Sequence, residues 1–510
     1  MRFPPLLGLL AVALLLGCSD RRQEAAPGEQ VGVFEEAPCP MAVPEGVVEG
    51  KDVVCGYVTV PEHHGSPDSR TLKLAVARLA SLTEDPLPDP LVPLPTGPGA
   101  SALDSFLPVF ASPLGAPIRA TRDVVLFEQR GLYHSEPNLA CDEVHTFFLD
   151  RLAEDLGGKE GVQRATEAYA ACRESLLGRD VRLEAFKYTE SADDLVMVLD
   201  ALGYGKANVL GVSAGTLFSQ RLLQRHSDRL RSVVLSSVAQ IDRPLQAAWP
   251  LYSARNLQHL FQACAADAAC GEAYPDLDQK LERTIKRLND TPVTVEIRDP
   301  RSGGTLDVVI NGDRFAEALF SGSYLTVLIP QMPALIHSVD AGDEEALAQV
   351  PELLLGPGDR FAWALGYSVF CSESPAITEE GIQFEGLYPA YEEGVANTPW
   401  GPRAIISICD MWGVERMGAE INTLATSDVP TLFISGEFDS ITPPSSAAAV
   451  AGSLENSFEY TVPGAGHSAI ENPCALSIFL QFLNDPESEP DASCLSELKV
   501  RLNVPSAEPS

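Results

Sequence analysis

The chain has 510 residues, of which 45% are hydrophobic and 21% are charged, and its formal net charge is −35. The length exceeds that of one ordinary domain, and the hydrophobic content is enough for a substantial core, so the composition excludes a disordered protein. The strong negative charge repels phosphate groups, which argues against a nucleic-acid partner and against a surface that binds anionic lipids.

The first residues of the chain are typical of an export signal. Arg2 precedes an apolar run at residues 6–16, which is too short to span a bilayer and has the length of a signal peptide core. The Leu-Leu-Gly-Cys sequence that ends at Cys18 resembles a bacterial lipobox and implies cleavage before Cys18 and lipidation of its thiol. An ordinary secretory signal cleaved nearby is the alternative. We therefore expect an exported protein, and with the lipobox a membrane-anchored lipoprotein of the cell envelope, on its periplasmic or extracellular face.

Composition and the spacing of apolar runs predict the domain organisation. Residues 18–38 are polar, acidic and poor in aromatic residues, which predicts a flexible tether. Beyond them, strand and helix patterns alternate, which favours an α/β fold with a mostly parallel sheet and helices on both faces. Almost two hundred residues separate the strand that ends at Ser236 from the next core strand near Pro430, far more than a crossover needs. The predicted units are a signal peptide (1–17), the tether (18–38), a core in two segments (39–240 and 426–496), an inserted, largely helical cap domain (241–425) and a tail (497–510).

Local patterns predict the elements in chain order. Alternating apolar residues predict an early hairpin, and short apolar runs predict core strands. The predicted strands are 57–60, 72–76, 124–127, 207–210, 231–236, 430–435 and 458–462, with a small second hairpin at 292–297 and 306–310. Helical periodicity is present at 165–177, 191–202, 251–263, 277–288, 313–319 and 324–339.

The most specific chemical signal is the sequence Gly-Val-Ser-Ala-Gly at residues 211–215, which follows a strand pattern and opens a helical one. A serine at such a turn projects its hydroxyl clear of the sheet, and only small neighbours let the backbone pass so closely. The motif also occurs by chance as a plain turn, so it indicates a nucleophile only if an acid and a histidine follow in order. Asp439 follows the predicted strand 430–435, and His467 follows strand 458–462 in a glycine-rich loop.

The order Ser213, Asp439, His467 predicts a catalytic triad. A serine hydroxyl is a weak nucleophile until a base within hydrogen-bond reach accepts its proton, and His467 is the predicted base. Asp439 is expected to hold the imidazole in the productive tautomer without taking the proton itself. Taken singly, each residue has an ordinary interpretation as a turn, a cap or a loop residue. Their joint occurrence in this order favours a serine hydrolase.

A serine hydrolase also needs an oxyanion hole, in which two backbone N–H groups face the developing negative charge. Ala214, next to the predicted nucleophile, is expected to supply one of them. The other is expected from the glycine-rich loop at residues 94–101, where Gly97 is the candidate donor. A simple Pro-Gly turn is the alternative interpretation of this loop.

Four stretches resemble the proline iminopeptidase and tripeptidyl aminopeptidase family of serine peptidases, which have the α/β-hydrolase fold. They are residues 96–101, residues 123–131 with Ser135, residues 211–216, and residues 435–444 continuing to 464–467. The chain differs from the usual family motifs at Thr96, Glu128, Leu132, Tyr133 and Ala214. Thr96 replaces a glycine, and glycine tolerates a positive φ that threonine does not. The resemblance implies an aminopeptidase that acts on peptides with free amino termini, releases one or a few residues and needs no cofactor.

In members of this family, acidic side chains of the cap domain bind the free α-amino group of the substrate. Glu373 lies in a Cys-x-Glu segment that resembles one in the secreted branch, so the resemblance makes Glu373 a candidate for that role. A solvated or capping glutamate is the alternative, since the chain has 71 acidic residues.

Cysteine usage agrees with export. Eleven cysteines less Cys18 leave ten, an even number that predicts up to five disulfides in an oxidising compartment. Spacing alone does not fix the connectivity. Neighbours in sequence suggest Cys39 with Cys55, Cys141 with Cys172, Cys264 with Cys270, Cys371 with Cys409, and Cys474 with Cys494. A metal site is the rival interpretation, but the sequence has no Cys-x-x-Cys motif and its eight histidines are scattered, so no metal is expected.

Two other functions stay open beside the aminopeptidase. One is a carboxylesterase with the same triad, because fold and triad do not select between amide and ester. The other is a non-catalytic binding lipoprotein on a hydrolase scaffold. The sequence gives no indication of the oligomeric state.

Overall fold

The structure is a computed structural model that describes residues 30–66, 68–355 and 360–504. The predicted signal peptide and the lipidation site at Cys18 lie outside the described residues. Within the described residues, no helix combines the length and the apolarity that a membrane crossing needs. The described residues from Val31 onward form one compact unit.

Eleven strands and seventeen α-helices are present in the part of the chain that the structure describes. The strands are β1 (Phe34–Glu36), β2 (Val53–Pro61), β3 (Thr71–Leu79), β4 (Leu91–Pro93), β5 (Val124–Phe127), β6 (Ala207–Val212), β7 (Leu230–Ser236), β8 (Val293–Arg298), β9 (Thr305–Ile310), β10 (Thr431–Gly436) and β11 (Ser457–Val462). The helices before the insertion are α1 (Ala102–Ala111), α2 (Ala116–Arg119), α3 (Asp142–Asp150), α4 (Gly158–Gly178), α5 (Tyr188–Ala201) and α6 (Ala214–Arg225). Those within and after it are α7 (Trp249–Ala266), α8 (Ala268–Ala273), α9 (Leu277–Asp290), α10 (Gly312–Gly322), α11 (Met332–Asp340), α12 (Glu344–Leu347), α13 (Trp363–Glu373), α14 (Pro389–Ala396), α15 (Pro402–Trp412), α16 (Pro444–Ala451) and α17 (Pro473–Asn484).

Nine strands form one sheet in the order β1-β2-β3-β5-β4-β6-β7-β10-β11. The pairs from β5 to β11 are parallel, whereas β1, β2 and β3 join by antiparallel pairs. The predicted early hairpin is the β2–β3 pair, in which Tyr57 is opposite Ala75. The mostly parallel sheet is therefore confirmed. The carboxyl ends of its parallel strands share one edge, where sites of such folds are built.

Alternate residues of the central strands enter different cores, so both faces of the sheet are covered. In β7, Val233 and Leu235 belong to a cluster with helices α5, α6 and α16, whereas Val234 belongs to a cluster with α1 and α17. Strands buried on both faces are nearly continuously apolar, which is why these segments stand out in the sequence.

The predicted tether is too long at its carboxyl end. Strand β1 lies inside residues 18–38 and pairs with β2, with Glu35 opposite Tyr57. Phe34 packs against the main core, and the Ala37 N–H donates to the Cys55 carbonyl oxygen. Backbone pairing therefore holds residues that their polar composition alone assigned to a flexible segment.

The long insertion between β7 and β10 has a core of its own, built mainly from α7, α9, α10, α11 and α14. Helices α13 and α15 of the same insertion instead pack with α4 in the core of the main sheet. The hairpin β8–β9 is antiparallel, as predicted. The predicted helix at 324–339 is wrong in its first half, since α11 begins only at Met332. Pro330 and Pro333 lack the N–H groups that a helix interior requires, and Pro333 fits in the first turn of α11.

Five disulfide bonds join the same neighbouring cysteines that the sequence suggested. They are Cys39–Cys55, Cys141–Cys172, Cys264–Cys270, Cys371–Cys409 and Cys474–Cys494. Disulfides persist in oxidising compartments, so this number indicates an exported protein. Within the described residues, no group of three or more potential ligands is placed to hold a metal ion.

Candidate active site

Ser213 occupies the sharp turn between β6 and α6. Its backbone has φ 55° and ψ −121°, a conformation that non-glycine residues rarely adopt. A Cβ atom at Gly211 would lie 2.3 Å from Ser219 Oγ and 2.6 Å from the Gly215 carbonyl oxygen. Only glycine fits there, because the first turn of α6 folds back over the end of β6. The strained turn is thus fixed by close packing on both sides of the serine.

His467 links Ser213 to Asp439. Its Nε2 lies 2.7 Å from Ser213 Oγ, and its Nδ1 lies 2.9 and 3.0 Å from the two carboxylate oxygens of Asp439. Asp439 and His467 are 3% and 5% exposed. The three residues follow β6, β10 and β11, whose carboxyl ends meet at one edge of the sheet. The structure therefore brings together the three residues that are far apart in the chain.

The Asp439 carboxylate is held by the turn that follows it. Oδ1 accepts from the backbone N–H groups of Ile441 and Thr442 at 2.9 and 2.8 Å, and Oδ2 accepts from Thr442 Oγ1 at 2.8 Å. Burial alone would raise the pKa of Asp439, but the neighbouring His467 and the Thr442 hydrogen bonds together lower it. An ionised Asp439 accepts the proton of His467 Nδ1, which leaves Nε2 free to accept from Ser213.

The loop of His467 is held by hydrogen bonds to residues that follow β7 and β10. The Phe438 N–H donates to the Ala465 carbonyl oxygen at 2.8 Å, which ties this loop to the one that carries Asp439. Ser237, directly after β7, donates its hydroxyl to the His467 carbonyl oxygen. The position of His467 therefore depends on residues that follow β7 and β10 as well as on its own loop.

The predicted oxyanion loop lies against the serine turn. Leu94 N donates to the Leu210 carbonyl oxygen at 2.8 Å, and a Cβ at Gly215 would lie 3.1 Å from the Pro95 carbonyl oxygen. The positive φ values fall on Gly97 (114°) and Gly99 (133°) and not on Thr96. The threonine that replaces the usual family glycine is therefore unstrained.

Both predicted oxyanion donors belong to this arrangement. Ala214 is the first residue of α6, where backbone N–H groups have no partner inside the helix. Gly97 lies two residues after Pro95, in the loop that packs on that helix. Among the residues that the structure describes, neither the Ala214 N–H nor the Gly97 N–H donates to another group.

Glu128 anchors the far end of the oxyanion loop. The residue is fully buried, and its Oε2 accepts from the N–H groups of Ala102 and Leu103 at 2.8 and 3.2 Å, at the start of α1. Its Oε1 accepts from the His134 N–H at 3.3 Å. Burial raises the pKa of Glu128 above its usual value. The glutamate that distinguishes this chain from the family motif thus holds the end of the loop that carries Gly97 by hydrogen bonds.

Glu373 is 3% exposed and caps helix α5. Its carboxylate oxygens accept from the N–H groups of Tyr188 and Thr189, each at 2.9 Å. Arg221 lies beside it and donates to the Glu373 carbonyl oxygen at 3.4 Å. Both carboxylate oxygens therefore already have partners, and an arginine is adjacent. These contacts favour the capping interpretation of Glu373 over a site for an ammonium group.

We expect Glu373→Ala to lower the free energy of unfolding by about 2–4 kcal/mol, because it leaves two buried helix N–H groups without acceptors. Urea denaturation measures this change. With Glu373→Gln, which keeps an acceptor oxygen at the helix, KM for substrates with a free amino terminus is expected to change less than about threefold. A KM at least tenfold higher in the Gln variant with unchanged stability would instead assign Glu373 to the substrate.

Three further residues near the triad were not identified from the sequence. Thr442 and Ser237 stabilise Asp439 and His467, and the ring of Tyr324 lies 5.0 Å from the His467 ring in an edge-on arrangement. The Asp-x-x-Thr spacing of a local side-chain turn was a usable signal for Thr442. Tyr324 and Ser237 had no such signal, because their contacts cross from other parts of the chain.

The fold and this site define the chain as an α/β hydrolase. A model of the α/β-hydrolase fold matches residues 89–268, and a model of TAP-like proteins matches residues 396–494. The first region contains the oxyanion loop and Ser213, and the second contains Asp439 and His467. The two matches together support a TAP-like α/β-hydrolase family for this chain.

Several known proteins are similar to parts of the chain. It is 33% identical over 199 residues to a tripeptidyl aminopeptidase of Streptomyces coelicolor, which covers 38% of this chain and 36% of that protein. It is 23% identical over 256 residues to the putative hydrolase YuaR of Escherichia coli, covering 48% and 49%. A solved esterase from Thermogutta terrifontis aligns at a TM-score of 0.36 with 16% identity, covering 85% of this chain and 99% of that one. The chain thus spans about a third of the tripeptidyl aminopeptidase and about half of YuaR.

Proposed function

We propose that this protein is an exported serine exopeptidase, an aminopeptidase that releases one or a few residues from free peptide amino termini through an acyl-enzyme on Ser213. The observation that carries the proposal is the 2.7 Å contact of His467 Nε2 with Ser213 Oγ on a strained strand–helix turn. This contact makes the hydroxyl a nucleophile at neutral pH.

In the proposed acylation step, Ser213 Oγ attacks the carbonyl carbon of the scissile amide while His467 Nε2 takes the hydroxyl proton. The N–H groups of Ala214 and Gly97 donate to the resulting oxyanion. His467 then gives its proton to the leaving nitrogen, and the C–N bond breaks. The ionised Asp439 stabilises the imidazolium between these two transfers.

In the proposed deacylation step, water takes the place of the leaving amine. His467 accepts a proton from the water as it attacks the acyl carbon, and the proton returns to Ser213 Oγ when the ester bond breaks. These reaction steps need no metal or cofactor. His467 makes each proton transfer, and the same two N–H groups stabilise each oxyanion.

The choice of peptides with free amino termini rests on similarity. A relative that is 33% identical over 199 residues is described as a tripeptidyl aminopeptidase. The excess of 71 acidic over 36 basic residues also favours the approach of a cationic amino terminus. Anchoring through a lipidated Cys18 is part of the proposal, and mass spectrometry of the amino-terminal peptide distinguishes a lipidated Cys18 from a plain cleaved terminus.

The test is a matched substrate panel. Aminoacyl, dipeptidyl and tripeptidyl p-nitroanilides are compared with free and with acetylated amino termini, and p-nitrophenyl butyrate is added as an ester. We expect cleavage of the unblocked anilides only, with the preferred length giving the number of residues released per cut. Hydrolysis of the ester without cleavage of any free anilide would identify a carboxylesterase and overturn the peptidase assignment.

A further inference from the structure

A short segment of the insertion, residues 323–327 after helix α10, contacts the loops of both Asp439 and His467. Ser323 Oγ lies within hydrogen-bond distance of Ser440 Oγ, directly after Asp439. Thr326 Oγ1 accepts from the Gly466 N–H at 3.0 Å, directly before His467. This segment is thus fixed to the two loops that carry the acid and the base.

Between these two anchors, Tyr324 packs on the catalytic histidine itself. Its ring centre lies 5.0 Å from that of His467 at an interplanar angle of 70°, and its other neighbour is the buried ring of Phe320 at 6.1 Å. Burial and the Asp439 carboxylate raise the pKa of Tyr324, so its side chain stays an uncharged phenol. As a whole residue Tyr324 is half-buried, between the buried Ser323 and the exposed Leu325.

Two exposed aliphatic side chains flank these contacts. Leu325 is 49% exposed and Val327 is 71% exposed, although each neighbours a residue held against the His467 loop. Two exposed aliphatic side chains next to a half-buried tyrosine that packs on His467 indicate a binding surface more readily than a solvated loop does. No charged residue is present in the segment 323–327.

The contact of Tyr324 with His467 shows on which side of the scissile bond the segment 323–327 lies. His467 Nε2 must lie within about 3 Å of the leaving nitrogen to protonate it. A ring in contact with the same imidazole therefore lies beside the group that departs, whereas the oxyanion loop packs on the serine turn at Gly215. The segment is thus adjacent to the leaving side of the scissile bond.

We propose that residues 324–327 form an apolar subsite for the first residue of the leaving peptide, with Tyr324 as its wall against His467. This subsite rests on the proposed function. Its ligand is a leucine-like or phenylalanine-like side chain, since the surface offers hydrophobic contact and no charge. We expect an apolar contact of this kind to discriminate between side chains by about tenfold in kcat/KM.

The test uses a series of peptides that share the same amino-terminal part, whose length is the one preferred in the anilide panel. They differ in the next residue, the first of the leaving peptide, which is Gly, Asp, Leu or Phe. Cleavage is located by mass spectrometry. The wild-type protein is expected to prefer Leu and Phe over Gly by about tenfold in kcat/KM. We expect that ratio to fall to about two in Tyr324→Ala and in the double variant Leu325→Ser with Val327→Ser. We expect Tyr324→Phe to keep it.

A matched control is Leu82→Ser. Leu82 is 60% exposed and follows β3, where Leu79 pairs with Val124, the first residue of β5. It therefore lies at the sheet edge opposite the triad, and Leu82→Ser is expected to keep the tenfold ratio. Deacylation of a preformed acyl-enzyme is measured in parallel, because that step contains no leaving peptide. Slower deacylation in Tyr324→Ala with an unchanged Leu-to-Gly ratio would overturn the subsite and leave Tyr324 as a positioning residue for His467.

The same variants separate the subsite from the peptidase assignment. If the protein cleaves esters but no peptide with a free amino terminus, the leaving group is the alcohol of the ester, which then occupies the subsite. Benzyl butyrate is then expected to be preferred over methyl butyrate by about tenfold in the wild-type protein, and the preference is expected to disappear in Tyr324→Ala. Equal rates for all leaving groups in the wild-type protein would overturn the proposal under either assignment.

Discussion

Ser213→Ala is expected to lower kcat by about a million-fold on the preferred substrate, because it removes the only atom that becomes acylated in the proposed mechanism. His467 and Asp439 cannot compensate for the loss. Removing one member of a cooperating triad costs about as much as removing all of it, and only oxyanion and binding effects remain. End-point assays with purified protein and overnight incubation measure the residual rate.

The control for this substitution is Ser488→Ala, in the exposed segment after α17, where Ser488 Oγ donates to Asp485. It is expected to keep full activity. Thermal unfolding and labelling with a fluorophosphonate accompany both variants. Ser213→Ala should unfold at a similar temperature and take up no label. Wild-type turnover by a pure Ser213→Ala sample would disprove the proposed nucleophile.

Asp439→Asn is expected to lower kcat by about ten-thousand-fold while leaving the fold intact. The reason lies in the turn after Asp439. The asparagine must direct its carbonyl oxygen at the N–H groups of Ile441 and Thr442, which now donate to Oδ1 at 2.9 and 2.8 Å. Its NH₂ group then faces His467 Nδ1. A donor at that position requires an unprotonated Nδ1, so the proton moves to Nε2, which can no longer accept from Ser213.

The matched control is Asp485→Asn, which removes the same charge from the exposed segment that carries Ser488. Steady-state kinetics and urea denaturation are compared for the two variants. An Asp439→Asn enzyme with more than a tenth of the wild-type kcat would show that the tautomer of His467 is not set by Asp439. Loss of activity in Asp485→Asn would point to a general effect of charge.

The central strands, the serine turn and the order of the three triad residues were readable from the sequence, because each depends on local pattern. Strands covered on both faces are continuously apolar, and the turn at Ser213 admits only small residues on either side. Helix α13 (Trp363–Glu373) was missed for a related reason. Nearly all of its residues are buried, so it lacks the amphipathic period by which helices are recognised.

The three-residue strand β4 was also missed. It lies in a proline-rich stretch and is defined by its pairing with two distant strands, β5 and β6, where Leu91 is opposite Val124 and Val92 is opposite Val209. Strand β1 was assigned to a tether for the same reason, since in the described part of the chain it pairs with the distant β2. Backbone pairing between remote segments leaves little trace in the composition of a short strand.

The sequence by itself determined the fold class, the sharp turn at Ser213 and the order in which Asp439 and His467 follow it, since these depend on residue types at short spacing. The tertiary structure alone decided the surroundings of those groups. It placed Glu128 at the start of α1, Glu373 at the cap of α5 and Tyr324 on His467. Each of these contacts joins segments that are distant in the chain, and a carboxylate or a phenol has the same local pattern whether it caps a helix, binds a substrate or faces solvent. Only packing, which fixes its partners and its burial, selects among these roles.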